Sequence, residues 1–342
     1  MVDENRSGAS YVQKLRLATN TTRSHVCLEL DPNWNFVPNK FFISFDTDIH
    51  HMYKKIFKRM NTEGIFPGAL KIDPVSFQVH DNLYKHDFSG SNAILDTIES
   101  ARGILPRNIP LIVASQKNIA EPENPLNGDA IIMNAFTDNI PEKFSDSGLG
   151  VYIWHLISLP RNKTLLTYKI ISSNNICEEL DNIIIANSGK TMNEEYKKYL
   201  HNSIVKPLIR KETKPLYRAV TDEIIKVGEG NSNIGTMIST DSCNPLREIS
   251  TILEPYKRPI LVDIVMENNK SIKDIVTRIK EVASVMQPIG YDMTLVRFNL
   301  PMKYTWGNDK KLPKDFDVKI VQNMKLFNDA ITEGLIDKYK EM

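Results

Sequence analysis

Cysteine is scarce in this sequence, and what there is of it does not cluster: Cys27, Cys177 and Cys243 are an odd number, widely spaced, with no Cys-x-x-Cys pair. A disulfide framework or a structural zinc site is therefore not expected. Long apolar runs are missing too. No stretch of 18 apolar residues occurs, and the polar N-terminus Met1-Val2-Asp3-Glu4-Asn5 has no apolar signal core, so neither a membrane span nor a secretory leader is expected, and the cytoplasm is the default location. An excess of charge is absent as well: 43 Lys and Arg stand against 42 Asp and Glu, a formal net charge of +1. Nothing pulls the chain as a whole toward nucleic acid or an acidic membrane, although a local anion site is still allowed. No Gly-x-Gly-x-x-Gly or Gly-x4-Gly-Lys-Ser/Thr follows the first apolar run, and there is no internal repeat or low-complexity tract.

What is present is an ordinary globular balance, 41% hydrophobic and 25% charged, with short apolar runs alternating with amphipathic stretches. That alternation is the pattern of βα units and a parallel sheet. Strands are predicted at Val26–Leu30, Gly68–Ile72, Leu111–Ala114, Ala130–Asn134, Val151–Ile157, Ile234–Ser239, Ile260–Ile264 and Met293–Phe298. Each run is nearly continuously apolar, as strands buried on both faces must be. Helical patterns fall at Tyr11–Ala18, Asp46–Met60, Asn92–Gly103, Glu194–Ile209, Leu216–Val227, Pro245–Leu253, Ser271–Met286 and about Phe316–Tyr339.

Eight strands with intervening helices fit a closed α/β architecture, the (β/α)8 TIM barrel, better than an open doubly wound sheet. The expectation is one domain over residues 1–342. Its barrel core would cover about 10–305, with extra helices at both termini and a lysine-rich helical insertion near 189–214.

In such a barrel, side chains at the carboxyl ends of the strands converge on one mouth. The polar residues that end the apolar runs are Glu29 and Asp31, Lys71 and Asp73, Ser115 and Lys117, Asn134, His155 and Ser158, Ser239 and Asp241, Asp263, and Arg297 with Asn299. Polar residues at strand ends are also what water contact alone requires. Lys71 and Lys117 stand out, because a lysine held beside carboxylates keeps its charge and can donate a proton. A lysine desolvated without a partner can instead form a Schiff base. His50-His51 lies on a helix, where adjacent side chains diverge, and is not read as a metal pair.

The pieces also resemble a known family in order. Ser24-His25-Val26-Cys27-Leu28-Glu29-Leu30-Asp31-Pro32 resembles the first strand of orotidine-monophosphate decarboxylases, which ends in Leu-Asp-Pro. Ala69-Leu70-Lys71 resembles that family's strand ending in a catalytic lysine. Ile109 through Ala120 lies where the family carries Asp-x-Lys-x-x-Asp. Gly128-Asp129-Ala130 through Asn134 resembles the fourth strand, Ile157-Ser158-Leu159-Pro160 the Thr-Ser-Asn-Pro segment, and Asn233-Ile234-Gly235 through Thr240 the Val-Gly-Ala-Thr strand.

The sequence departs from the family where the two motif aspartates read Ser115 and Ala120, with Glu121 one residue displaced. It departs again where the Gly-rich phosphate loop reads Met266-Glu267-Asn268-Asn269-Lys270.

The resemblance implies a barrel that binds a small phosphate ligand, a nucleotide or sugar phosphate. It implies a decarboxylase or lyase activity in pyrimidine nucleotide metabolism, a homodimer, no cofactor, and no nucleic-acid or membrane partner. Carried over by position, Lys117 would be the proton donor, with Lys71 and Asp31 as its supports. Ser115, Ser158, Asn134, Thr240 and Arg297 would contact substrate, Ser158 at the base and Arg297 at the phosphate. Replacing an aspartate by serine removes a full charge from the array, and a positioned charge contributes on the order of several kcal/mol in a transition state. Two alternatives therefore stand beside the decarboxylase: a catalytically inactive binding or scaffold module, and an aldolase-like lyase that forms a Schiff base.

Overall fold

A computed structural model describes residues 9–30, 49–72, 93–114, 126–134, 148–156, 232–240, 243–264, 271–290, 293–299 and 314–336. Eight strands are present: β1 Val26–Glu29, β2 Ala69–Ile72, β3 Leu111–Ala114, β4 Ala130–Asn134, β5 Gly150–Leu156, β6 Ile234–Thr240, β7 Ile260–Ile264 and β8 Thr294–Asn299. They pair in sequence order, every neighbour parallel, and β1 closes on β8 with Cys27 opposite Arg297. The chain is a (β/α)8 barrel. Each strand boundary lies within one residue of its sequence expectation, because a short run apolar on both faces leaves little choice of where burial starts and stops.

The helices among the described residues are α1 Tyr11–Thr22, α2 Ile49–Glu63, α3 Ala93–Ile104, α4 Cys243–Leu253, α5 Ile272–Val285 and α6 Phe316–Ile336. The expected helices at 194–209 and 216–227, and the insertion near 189–214, lie outside the described residues. Where α1 and α2 run past the expected ends, the stop signal is backbone chirality rather than hydrophobicity. Helix α1 continues to Thr22 and ends on Arg23 in the left-handed region, φ 53°. Helix α2 continues through Asn61-Thr62-Glu63 and ends at Gly64, φ 67°, the conformation that glycine adopts most readily after a helix. None of these helices is long and apolar enough to cross a membrane.

Alternation along the strands separates two cores. Cys27, Ala69, Ile112, Ala130, Ile132, Tyr152, Met237, Leu261 and Leu295 form one cluster, closed by Tyr11 and Leu15 of α1. This is the barrel interior, with α1 as its plug. Val26, Leu28, Leu70, Ile72, Val113, Ile238, Val262, Val296 and Phe298 form the other, against α2 to α6.

The plug is anchored by a capping box between Ser10 and Gln13. Lys14 Nζ lies 2.9 Å from Asp129, whose other oxygen accepts the Leu111 amide at 2.9 Å. The Tyr11 and Tyr152 hydroxyls are 2.7 Å apart, and burial pushes both phenols above their usual range. Gly150 is required beneath the plug, since a Cβ there would lie 2.3 Å from the Tyr11 ring.

Helix α6 ties the N-terminal end of the barrel to the outer layer. Asn328 accepts the His25 amide at 3.0 Å and donates to the Arg23 carbonyl at 2.9 Å. It crosses α5 closely at Gly334, where a Cβ would stand 2.5 Å from the Lys280 carbonyl and 2.7 Å from the Ala283 Cβ. Alanine in a helix interior ordinarily stabilises by up to about 1 kcal/mol over glycine. Overpacking a fitted contact costs typically about 1–3 kcal/mol. Gly334→Ala is therefore expected to lower stability in urea unfolding, against helix propensity.

Asp317, in the first turn of α6, sits 3.1 Å from both Lys55 and Arg59 of α2. Its burial would raise the carboxyl pKa, but the hydrogen bonds from Lys55 and Arg59 outweigh that and hold it below the usual carboxylate range. A depressed carboxylate adds stability above its unfolded pKa of about 4, and that stability is lost as pH falls through the folded value. Unfolding midpoints measured across acid pH should therefore fall less steeply in Asp317→Asn than in the parent below about pH 4.

Candidate functional site

The inward-facing positions alternate with the outward ones, so residues two beyond the inward apolar set also point into the barrel. Beyond Cys27, Ala69, Leu261 and Leu295 these are Glu29, Lys71, Asp263 and Arg297. The register places Glu29 opposite Lys71 across the β1–β2 pairing, and Val262 opposite Val296 across β7–β8. Four charges from four adjacent strands thus share one region near the carboxyl ends.

They form a continuous chain. Lys71 Nζ donates to Glu29 Oε1 at 2.6 Å. Arg297 grips the same carboxylate with a fork, Nε to Oε2 at 2.7 Å and Nη2 to Oε1 at 2.6 Å. Its remaining Nη1 donates to Asp263 Oδ2 at 2.7 Å. Glu29 and Lys71 are almost wholly buried, with side chains 1% and 3% exposed, whereas Arg297 and Asp263 reach 17% and 18%.

The network runs from the dry interior at β2 to a wetter end at β7, and among these four described residues two cations face two anions. Fork geometry and charge assistance make the Arg297–Glu29 contact one of the stronger kinds of hydrogen-bonded pair. Attraction across a low-dielectric interior stabilises the Lys71 ammonium. A buried cation locked to a carboxylate can deliver a proton or stabilise a developing negative charge, but it is a poor nucleophile.

Of the expected site residues, the structure brings Lys71 and Arg297 together through Glu29. Lys117, Asp31, Ser115 and Ser158 lie outside the described residues. Asn134 and Thr240 are the last residues of β4 and β6, at the same end of the barrel, and only their backbone is described. Arg297, expected to contact a phosphate, has Nε and both Nη atoms engaged by Glu29 and Asp263.

Glu29 and Asp263 stand among the strand-end residues of the sequence, and the family resemblance gives neither a role. The signal that finds them is parity: each is two positions beyond an inward apolar residue and level with a basic residue on a neighbouring strand. The His50 and His51 rings do approach, with centroids 4.0 Å apart, contrary to the expected divergence on a helix. Among the described residues no group of three metal-binding side chains gathers there or elsewhere.

No protein-family model matches the chain, and no curated protein matches it. Among solved structures it is similar to a provisionally assigned orotidine-monophosphate decarboxylase from Plasmodium yoelii. The identity is 12% and the TM-score 0.45, over 95% of this chain and 99% of that one. A dihydropteroate synthase from Xanthomonas albilineans is similar at 12% identity and TM-score 0.39, over 93% and 94% of the two chains. A provisionally assigned fructose-1,6-bisphosphate aldolase from Coccidioides immitis is similar at 9% identity and TM-score 0.30, over 100% and 99%.

Removing one partner from a buried ion pair costs about 3–5 kcal/mol, whereas exposed pairs contribute at most about 1 kcal/mol. Glu29→Gln is accordingly expected to destabilise the fold by several kcal/mol in urea unfolding. Asp263→Asn, at the wetter end, should cost clearly less.

Proposed function

We propose that this barrel binds a small phosphorylated ligand, a nucleotide or sugar phosphate, at the carboxyl ends of its strands. We propose further that it acts on that ligand as a carbon–carbon lyase of the orotidine-monophosphate decarboxylase type. The observation that carries the reading is Lys71, a lysine buried at the carboxyl end of β2 and held by Glu29 at 2.6 Å. It supplies fixed positive charge where loss of a carboxyl group leaves a carbanion. It sits at the position where the sequence resembles a strand ending in a catalytic lysine.

Lys117 takes the role of proton donor, with Lys71 and Asp31 as supporting charges and Ser158 against the base. Ser115, Asn134 and Thr240 complete the substrate contacts. The same ion pair speaks against Schiff-base chemistry at Lys71, which needs a neutral amine.

A second reading is favoured by Arg297. With its guanidinium held by Glu29 and Asp263, and with Ser115 and Ala120 at the positions of the motif aspartates, the barrel has lost features that such a decarboxylase uses. It then serves as a ligand-binding or scaffold module without turnover.

Calorimetric titration with orotidine monophosphate and uridine monophosphate, with decarboxylation of the former followed in the same samples, separates the two. The expected result is binding with turnover, abolished by Lys117→Ala and reduced at least about a hundredfold by Lys71→Ala, the scale of one positioned electrostatic group. Binding without turnover establishes the module. A folded sample that binds neither ligand overturns the nucleotide reading.

A further inference from the structure

We infer that Asp263, Arg297 and Glu29 form a sign-alternating chain that sets how firmly Lys71 holds its proton, with Arg297 a positioning residue rather than a ligand for phosphate. The argument starts from the order of charges, which runs negative, positive, negative, positive from β7 through β8 and β1 to β2. Glu29 attracts the Lys71 proton directly at 2.6 Å. Arg297 opposes this twice: it spends Glu29's charge on a two-pronged contact of its own, at 2.7 and 2.6 Å, and it adds a second positive charge on the same carboxylate. Asp263 draws on Arg297 from the far side at 2.7 Å, and so weakens that opposition. Because the Glu29 and Lys71 side chains are 1% and 3% exposed, water screens these interactions little.

The consequence is an ammonium that stays charged at rest but is held less tightly than Glu29 alone would hold it. A lysine that supplies fixed positive charge beside a developing carbanion must stay protonated at working pH without being fully neutralised by its carboxylate partner, and this order of charges meets both demands. Among the described residues, Glu29 from β1 contacts Lys71, Arg297 from β8 holds Glu29, and Asp263 from β7 holds Arg297 in turn. The link to catalysis rests on the lyase reading above; the electrostatic chain itself does not.

The test is an NMR titration of the full-length protein with lysine labelled with 13C at the ε carbon, the Lys71 resonance being assigned by its disappearance in Lys71→Met. Alternation predicts alternating shifts. The Lys71 titration midpoint should fall by about one pH unit or more in Glu29→Gln, as expected for loss of an opposite charge in contact. In Arg297→Gln it should move the other way, upward or beyond the alkaline limit of the folded state. In Asp263→Asn it should fall, by less than in Glu29→Gln.

If Glu29→Gln does not fold, the opposed directions of Arg297→Gln and Asp263→Asn decide. Midpoints that stay put, or that move in one common direction in the Arg297 and Asp263 variants, overturn the inference. Because no ligand is used, a failure to bind orotidine monophosphate would sink the lyase reading and leave this result standing, and the reverse also holds.

Discussion

Closure of the sheet is the constraint from which the rest follows. Once β1 pairs with both β2 and β8, the inward apolar residues of all eight strands are buried, and α1 seals one end with Tyr11 and Leu15. An interior of that kind tolerates apolar side chains freely but charged ones only in compensated sets. Glu29 on β1 is therefore met by Lys71 on β2 and Arg297 on β8, the two strands that closure brings to its flanks. The salt-bridge chain is what a closed barrel requires of a buried glutamate, and the same closure makes its electrostatics strong enough to matter for chemistry.

The two ends of the barrel divide their tasks. At the amino end, apolar packing dominates, supplemented by the Tyr11–Tyr152 hydroxyl contact and the Lys14–Asp129 pair. At the carboxyl end, the interior changes from apolar to charged within two residues on four strands: Cys27 to Glu29, Ala69 to Lys71, Leu261 to Asp263, Leu295 to Arg297. Apolar packing and buried charge are thus placed at opposite ends of the same strands. Close packing of α5 on α6 at Gly334, and of α2 on α6 through Asp317, holds the outer layer against β1 and β8, the two strands that carry Glu29 and Arg297.

The fold was readable from the sequence to within a residue at each strand, because burial on both faces writes itself as an unbroken apolar run. Helix ends were less readable. Hydrophobic pattern stops at Met60, whereas α2 continues until Gly64 reverses the chain. The site was readable only in part. Lys71 and Arg297 are legible as strand-end residues that the family resemblance also marks, whereas Glu29 and Asp263 are legible only as polar strand ends. A linear motif ranks residues by their neighbours in sequence, whereas the ion-pair chain is made by neighbours in space, 42 positions apart for Lys71 and Glu29 and 268 for Arg297 and Glu29.

What the sequence by itself determined is the number, type and limits of the strands, and the presence of basic residues at their carboxyl ends. Period and apolar continuity are local properties, and a strand buried on both faces leaves them no freedom. Which charge meets which was decided by the tertiary structure alone. The register between β1, β2, β7 and β8 brings Glu29 to Lys71, and Arg297 is turned toward two carboxylates. Pair energies in a dry interior depend on distances of a few ångströms that no sequence spacing records.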